Sequence, residues 1–180
     1  MLIAQHLRET SLAEYLLYMW QVEDLLRANK CDMSLLEKNY LSHFSLPEDQ
    51  MKSVRCWYEN LNEMMHHEGL TEKGHLQINK NTLADLTELH SKLLASSQYS
   101  YYNIAYYKVL LYIEEVKSRG ENKDISEIEI CFNILYGVMM LRLQKKEVNS
   151  ETEKAVKDVT AFLKMLSDYY IQDKKEPLEF

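Results

Sequence analysis

The chain has 180 residues, 46% of them hydrophobic and 27% charged, and a formal net charge of -7. This is the balance of a globular protein, long enough for one domain that buries roughly 70% of the surface its unfolded chain would expose. The only basic pairs, Lys145-Lys146 and Lys174-Lys175, each stand beside an acid, so the clustered cations that phosphate backbones and anionic membranes need are missing.

Four glycines and two prolines argue against glycine-rich α/β folds and turn-rich all-β folds, and for long helices. The opening "MLIAQHLRET" has a charge by Arg8 and no apolar run typical of a signal peptide. No stretch approaches the roughly 18 apolar residues of a membrane span. Cys31, Cys56 and Cys131 are odd in number, far apart and without a CxxC. They read as reduced thiols in a cytoplasmic protein.

Taken in chain order, the first helix is expected from Ser11 to about Asn29, with Leu12, Leu16, Met19 and Leu26 on one face. A short helix follows Asp32. A third runs from Pro47 to about Glu68, with Met51, Val54, Tyr58, Leu61 and Met65 in register. Gly69 marks its end. The stretch from Gly69 to Asn81 reads as a loop with a short extended piece around Leu76–Ile78. A very long fourth segment spans Thr82 to Arg119, stopped by Gly120. Its apolar face rotates by about 100° near Ser96-Ser97-Gln98, so it is either broken there or one helix that changes partners. The fifth, from about Ile125 to Lys146, is apolar almost all round, which places it at the bundle centre, with Gly137 admitting a close neighbour. The sixth runs from about Glu151 to Gln172 on Ala155, Val159, Phe162, Leu166 and Tyr169. Capping-box patterns stand at Ser11/Glu14, Ser45/Glu48, Ser126/Glu129 and Ser150/Glu153. The expectation is an all-α, single-domain bundle of five to seven helices with a long central helix, over residues 1–172, followed by a frayed tail, 173–180.

"AEYLLYMWQVEDLLRAN" (Ala13–Asn29), "EGLTEKGHLQINKNTLADLTELHSKLL" (Glu68–Leu94) and the tyrosine-rich helix together resemble a family of short bacterial proteins of Bacteroides-like bacteria, known as a domain of unknown function. The resemblance covers most of the chain. It implies an intracellular helical protein and supplies no functional residues.

Several residues invite a chemical reading. Glu63-x-x-His66 has the spacing of di-metal bundles, but it falls on the polar side of its helix. Glu72-x-x-His75 lies in the glycine-bearing loop. "GLTEKG" resembles the approach to a wing in winged-helix regulators, yet the helix before it is acidic. Glu23 interrupts the apolar face of the first helix. It reads as a rim carboxylate bonded to a tyrosine or arginine, for which leucine would be tolerated. His90 sits among Leu83, Leu86, Leu93 and Leu94 and reads as a satisfied core or rim histidine. No P-loop, GxGxxG, GxSxG or HExxH motif occurs. No catalytic, cofactor or metal-binding residue is assigned.

"SSQYSYYNIAYY" (Ser96–Tyr107) places Tyr102 near the middle of a broad face from Tyr101 to Tyr99, the way tyrosine is used at a core boundary. Ile104, Tyr107 and Leu111 form a second stripe on the far side. They must be covered, by another helix of the chain or by a second molecule. The favoured reading is a non-enzymatic scaffold or interaction protein that forms a homodimer through this stripe, with no nucleic-acid or membrane partner. The alternative is a small-ligand binder whose pocket holds Tyr102, Tyr106, His90 and Glu23. An enzyme or metalloprotein of unrecognised type is the third.

Overall fold

A computed structural model describes residues 2–119 and 125–180. They form eight α-helices and no strand. The helices are α1 (Leu2–Thr10), α2 (Leu12–Ala28), α3 (Met33–Asn39), α4 (Glu48–His67), α5 (Gln77–Ala95), α6 (Ser100–Arg119), α7 (Glu127–Leu143) and α8 (Ser150–Lys175). The all-α class stands; the expected five to seven helices become eight. The excess has two causes. The N-terminal residues, which carry no capping pattern, form α1. And the long central helix does not exist: the chain breaks at Ser96.

That break is chemical. Ser96 has an extended backbone (ψ 131°) and its Oγ accepts a hydrogen bond from the Gln98 amide at 3.3 Å. One 3-10 turn, Ser97–Tyr99, then leads into α6. A serine that satisfies a backbone donor outside the helix competes with the helix itself.

The chain divides into two compact units, residues 2–9 with 14–82, and residues 10–13 with the described residues from 83 onward. In the first unit the apolar face of α2 is buried at Leu16, Met19 and Leu26, and that of α4 at Val54, Tyr58, Leu61 and Met65. Asp32 caps α3 through the Ser34 and Leu35 amides. Gly69, at φ +68°, ends α4: the Leu70 amide returns to the Met65 carbonyl at 2.8 Å. The Ser45/Glu48 pattern forms no cap; α4 starts at Glu48 behind Pro47, without a side-chain hydrogen bond.

In the second unit α6, α7 and α8 pack on one another. Tyr102, Tyr106, Val109 and Ile113 of α6 meet a core that includes Ile128, Phe132, Val159, Phe162 and Leu166. Ser126 caps α7 by accepting from the Glu129 amide, as its pattern predicts. The cap of α8 is Asn149 rather than Ser150. The expected stop at Gly120 lies outside the described residues. α7 is less central than its sequence suggests. Its first half is buried, but Leu141 and Leu143 are exposed, and a Cβ added at Gly137 would meet no atom of a neighbouring element within 4 Å. It ends at Leu143 because Lys145 adopts φ +57° and its amide returns to the Arg142 carbonyl, a turn usually given to glycine. α8 continues to Lys175, past the expected Gln172. Beyond it the Leu178 amide donates to Asp173 and the Tyr99 hydroxyl donates to the Glu179 carbonyl.

The start of α2 is closed from a distance. The Leu12 amide donates to the Oγ of the buried Ser167 on α8 at 2.6 Å, and the Ala13 amide to the same oxygen at 3.4 Å. First-turn amides have no partner within their own helix. Ser167→Ala is therefore expected to cost about 1–2 kcal/mol, measured by urea unfolding. A change within error would show that water replaces the hydroxyl.

Candidate functional site

The pocket and interface candidates named above fall at three places. Glu23 lies in the first unit. It is 1% exposed, and the structure gives it partners other than the tyrosine or arginine expected. Its Oε1 accepts from the Leu76 amide at 2.9 Å and from Asn79 Nδ2 at 2.7 Å, and its Oε2 meets His75 Nδ1 at 2.6 Å. The His75 ring stacks on Trp20, one turn before Glu23, with centroids 4.2 Å apart.

This contact explains why α5 starts at Gln77 instead of Thr82. Leu76 takes the capping position, its carbonyl accepting from the Asn79 and Lys80 amides. Its own amide goes to Glu23, and the Gln77 amide goes to Glu68 at 2.7 Å. Two carboxylates from elsewhere thus satisfy the donors and the positive end of the helix dipole. The expected extended piece at Leu76–Ile78 is this helix start. Arg27, four residues after Glu23 on α2, holds the preceding loop through the Leu70 carbonyl at 3.1 Å and the Gly74 carbonyl. α2 thereby grips the loop with an anion and a cation one turn apart. His75, which sequence reasoning left in the loop, is half of the central contact.

Glu63 is exposed, and the His66 ring lies 3.0 Å from the Cys31 carbonyl. Among the described residues no group of three or more His, Cys, Asp or Glu side chains is placed to hold a metal ion.

The second place is His90, in the second unit with Tyr102 and Tyr106. His90 is buried, with its Nδ1 2.6 Å from the Tyr102 hydroxyl and its Nε2 3.9 Å from a Glu127 carboxylate oxygen. The neighbouring carboxylate favours the proton on Nε2, so the Tyr102 hydroxyl donates to Nδ1. Tyr106 donates to Glu127 at 2.8 Å, and Lys117 binds the other carboxylate oxygen at 2.8 Å. Phe162 from α8 closes the cluster, with its ring 5.3 Å from Tyr102 and 5.8 Å from His90.

Burial sets the protonation states here. It lowers the His90 pKa against the opposing pull of Glu127. It raises Tyr102, raises Tyr106 to about 12 with help from the Glu127 bond, and raises the Cys131 thiol to about 12. Burial also works against the Glu127 anion, but the bonds from Lys117 and Tyr106 outweigh it and lower the pKa. A neutral thiol and neutral phenols at physiological pH are poor nucleophiles. The cluster is a polar network packed against aromatic rings. The four residues of the suggested ligand pocket divide between the units: Glu23 is bonded within the first, and His90, Tyr102 and Tyr106 within the second.

The third place is the far side of α6. Ile104 is 54% exposed, Tyr107 66% and Leu111 76%. Tyr101, which periodicity places at the edge of the buried face, joins them at 80%. Four large side chains thus stand in water along one helix, bordered by Ser100, Lys108, Glu114 and Glu115, all exposed. An isolated exposed apolar residue needs no explanation; a contiguous row along one element does.

Comparison with known proteins gives a family and no chemistry. The family model described as "Domain of unknown function (DUF4924)" matches residues 1–177, and the chain belongs to that family. Over 149 residues, 79% of this chain, it is 26% identical to a protein of Acanthamoeba polyphaga mimivirus named "Putative 5'-3' exonuclease R528". The chain spans about a fifth of that relative's length, 22%. No solved structure matches the chain.

Proposed function

For this member of the DUF4924 family, we propose a non-enzymatic interaction protein that self-associates through the outward face of α6. One observation carries the reading: Ile104, Tyr107 and Leu111, with Tyr101, are exposed in the single chain. Leaving an aliphatic side chain in water forgoes about 1.5–3 kcal/mol of burial. A row of them bordered by serine, lysine and glutamate has the anatomy of an interface core and its rim. A cytoplasmic location and a source among Bacteroides-like bacteria belong to the same proposal. The three free thiols suit a reducing compartment. The exonuclease name of the mimivirus protein is not carried over, because the match spans 22% of that protein.

The test is the double change Tyr107→Glu with Leu111→Glu, followed by light scattering and circular dichroism. The expected result is a dimeric wild type and a folded, helical, monomeric variant. A wild type that is monomeric at micromolar concentration ends the reading. So does a variant that remains a dimer.

A further inference from the structure

Resting on that reading, we infer that two copies of α6 pair antiparallel, about a two-fold axis between residues 105 and 106. The argument begins with where the exposed apolar residues lie. At 3.6 residues per turn, Ile104 and Leu111 fall within about 20° of each other on the outward centre line. Ser100 lies close to the same line, Tyr107 on one margin, and Tyr101 and Lys108 together on the other. Along the helix the apolar set runs from Tyr101 to Leu111, so its midpoint lies near residue 106. Glu114 and Glu115 come after its C-terminal end.

In a parallel, in-register pair only the residues of the centre line meet their own copies, while opposite margins face each other. Glu115, about 20° from Ile104 around the helix, would then stand against Glu115 inside the seam. An antiparallel pair about the midpoint does the opposite. Ile104 comes level with Tyr107 of the second copy, and Leu111 with Ser100, so large side chains meet smaller ones. Glu114 and Glu115 fall outside the seam at opposite ends. On an antiparallel pair each margin faces the same margin of the other helix. Lys108 therefore lies within about 3 Å along the axis of Tyr101 of the second copy. That places an ammonium beside a phenol ring, twice by symmetry. Sliding one helix by a heptad loses this match: Lys108 then meets Lys108, and Ile104 meets Glu114.

The experiment uses the full chain with Ser100→Cys and Leu111→Cys introduced together, in a Cys56→Ser background, since Cys56 is the exposed native thiol. Circular dichroism first establishes the wild-type helix content, and gentle oxidation and peptide mass spectrometry follow. The two new cysteines lie about 16 Å apart on one helix, too far for a disulfide within the chain. A peptide joining positions 100 and 111 can therefore come only from two molecules. That product is expected to exceed its statistical share over the 100–100 and 111–111 products. Like-with-like products in excess would overturn the antiparallel pairing while leaving self-association standing, as would a dimer that forms no cross-link. A wild type shown to be monomeric by light scattering would instead remove the reading beneath it.

Discussion

Glu23→Leu is expected to lose about 2–6 kcal/mol of stability, the cost of leaving two buried hydrogen-bond donors without their acceptor at about 1–3 kcal/mol each. The expectation from the sequence alone, that leucine would be tolerated, is reversed by the partners found. Leucine fits the apolar face of α2, but it leaves the Leu76 amide and the Asn79 side chain, both buried, without their acceptor. Each such donor costs its full desolvation. His75 is less constrained, since about a third of its side chain is exposed, 31%, and water can replace part of its contact. Glu23→Gln keeps one acceptor oxygen and should lose less, about 1.5–3 kcal/mol, the worth of a hydrogen bond to a charged group. Urea unfolding followed by circular dichroism gives both numbers. Tryptophan fluorescence reports the site itself, because Trp20 stacks on His75. A Glu23→Leu protein within about 1 kcal/mol of wild type would show that the helix start does not depend on the carboxylate.

The same corner shows why part of the fold could be read from the sequence and part could not. Where a helix is bounded by its own neighbours, the residue types announce it. Asp32 before α3, Ser126 before α7 and Gly69 after α4 each act within a few residues, through bonds that their side chains or backbone freedom make possible. Where the boundary is set by a residue far along the chain, no window contains the cause. The start of α5 depends on Glu23 and Glu68, whereas that of α2, expected at Ser11 from its own pattern, is only reinforced from a distance by Ser167. The end of α7 was misplaced because a lysine takes the left-handed turn. The buried face of α6 follows from period alone, with Tyr102, Val109 and Ile113 at its centre. Tyr101 lies at the edge of that arc, where period cannot decide between core and water. The outward stripe was legible for the same reason: Ile104, Tyr107 and Leu111 oppose a face already sufficient for the core. Residues brought together only by tertiary folding, such as His75 with Glu23 and Glu127 with His90, were not.

Tyr102→Ala is expected to be similarly severe, about 3–5 kcal/mol, since it empties a fully buried ring position against Phe162. Tyr102→Phe isolates the polar part. It keeps the ring but removes the hydroxyl that donates to His90 Nδ1, leaving a buried acceptor unpaired at about 1–3 kcal/mol. The pH dependence of stability should carry the mark of the same histidine. Tyr102 and Tyr106 of α6, Glu127 of α7 and Phe162 of α8 surround it, with Lys117 bound to Glu127 and Cys131 near Tyr102. Burial holds the folded pKa of His90 below its ordinary 6.5. Below that pH the unfolded chain binds the proton more readily than the folded one, so this contribution is complete above 6.5 and declines as the pH falls toward the folded value. Glu127 acts in the same direction at lower pH. Its pKa is lowered in the folded protein, so its contribution is present above its ordinary 4.5 and is lost as the pH falls through the folded value. His90→Gln keeps an acceptor for Tyr102 and cannot titrate. Unfolding free energies of wild type and His90→Gln at about pH 7.5 and about pH 5.5 separate the two windows. Wild type should lose stability on acidification, and the variant should lose less over that interval. Equal slopes would show that the imidazole accepts its proton without leaving the core, and that Glu127 at 3.9 Å compensates its burial.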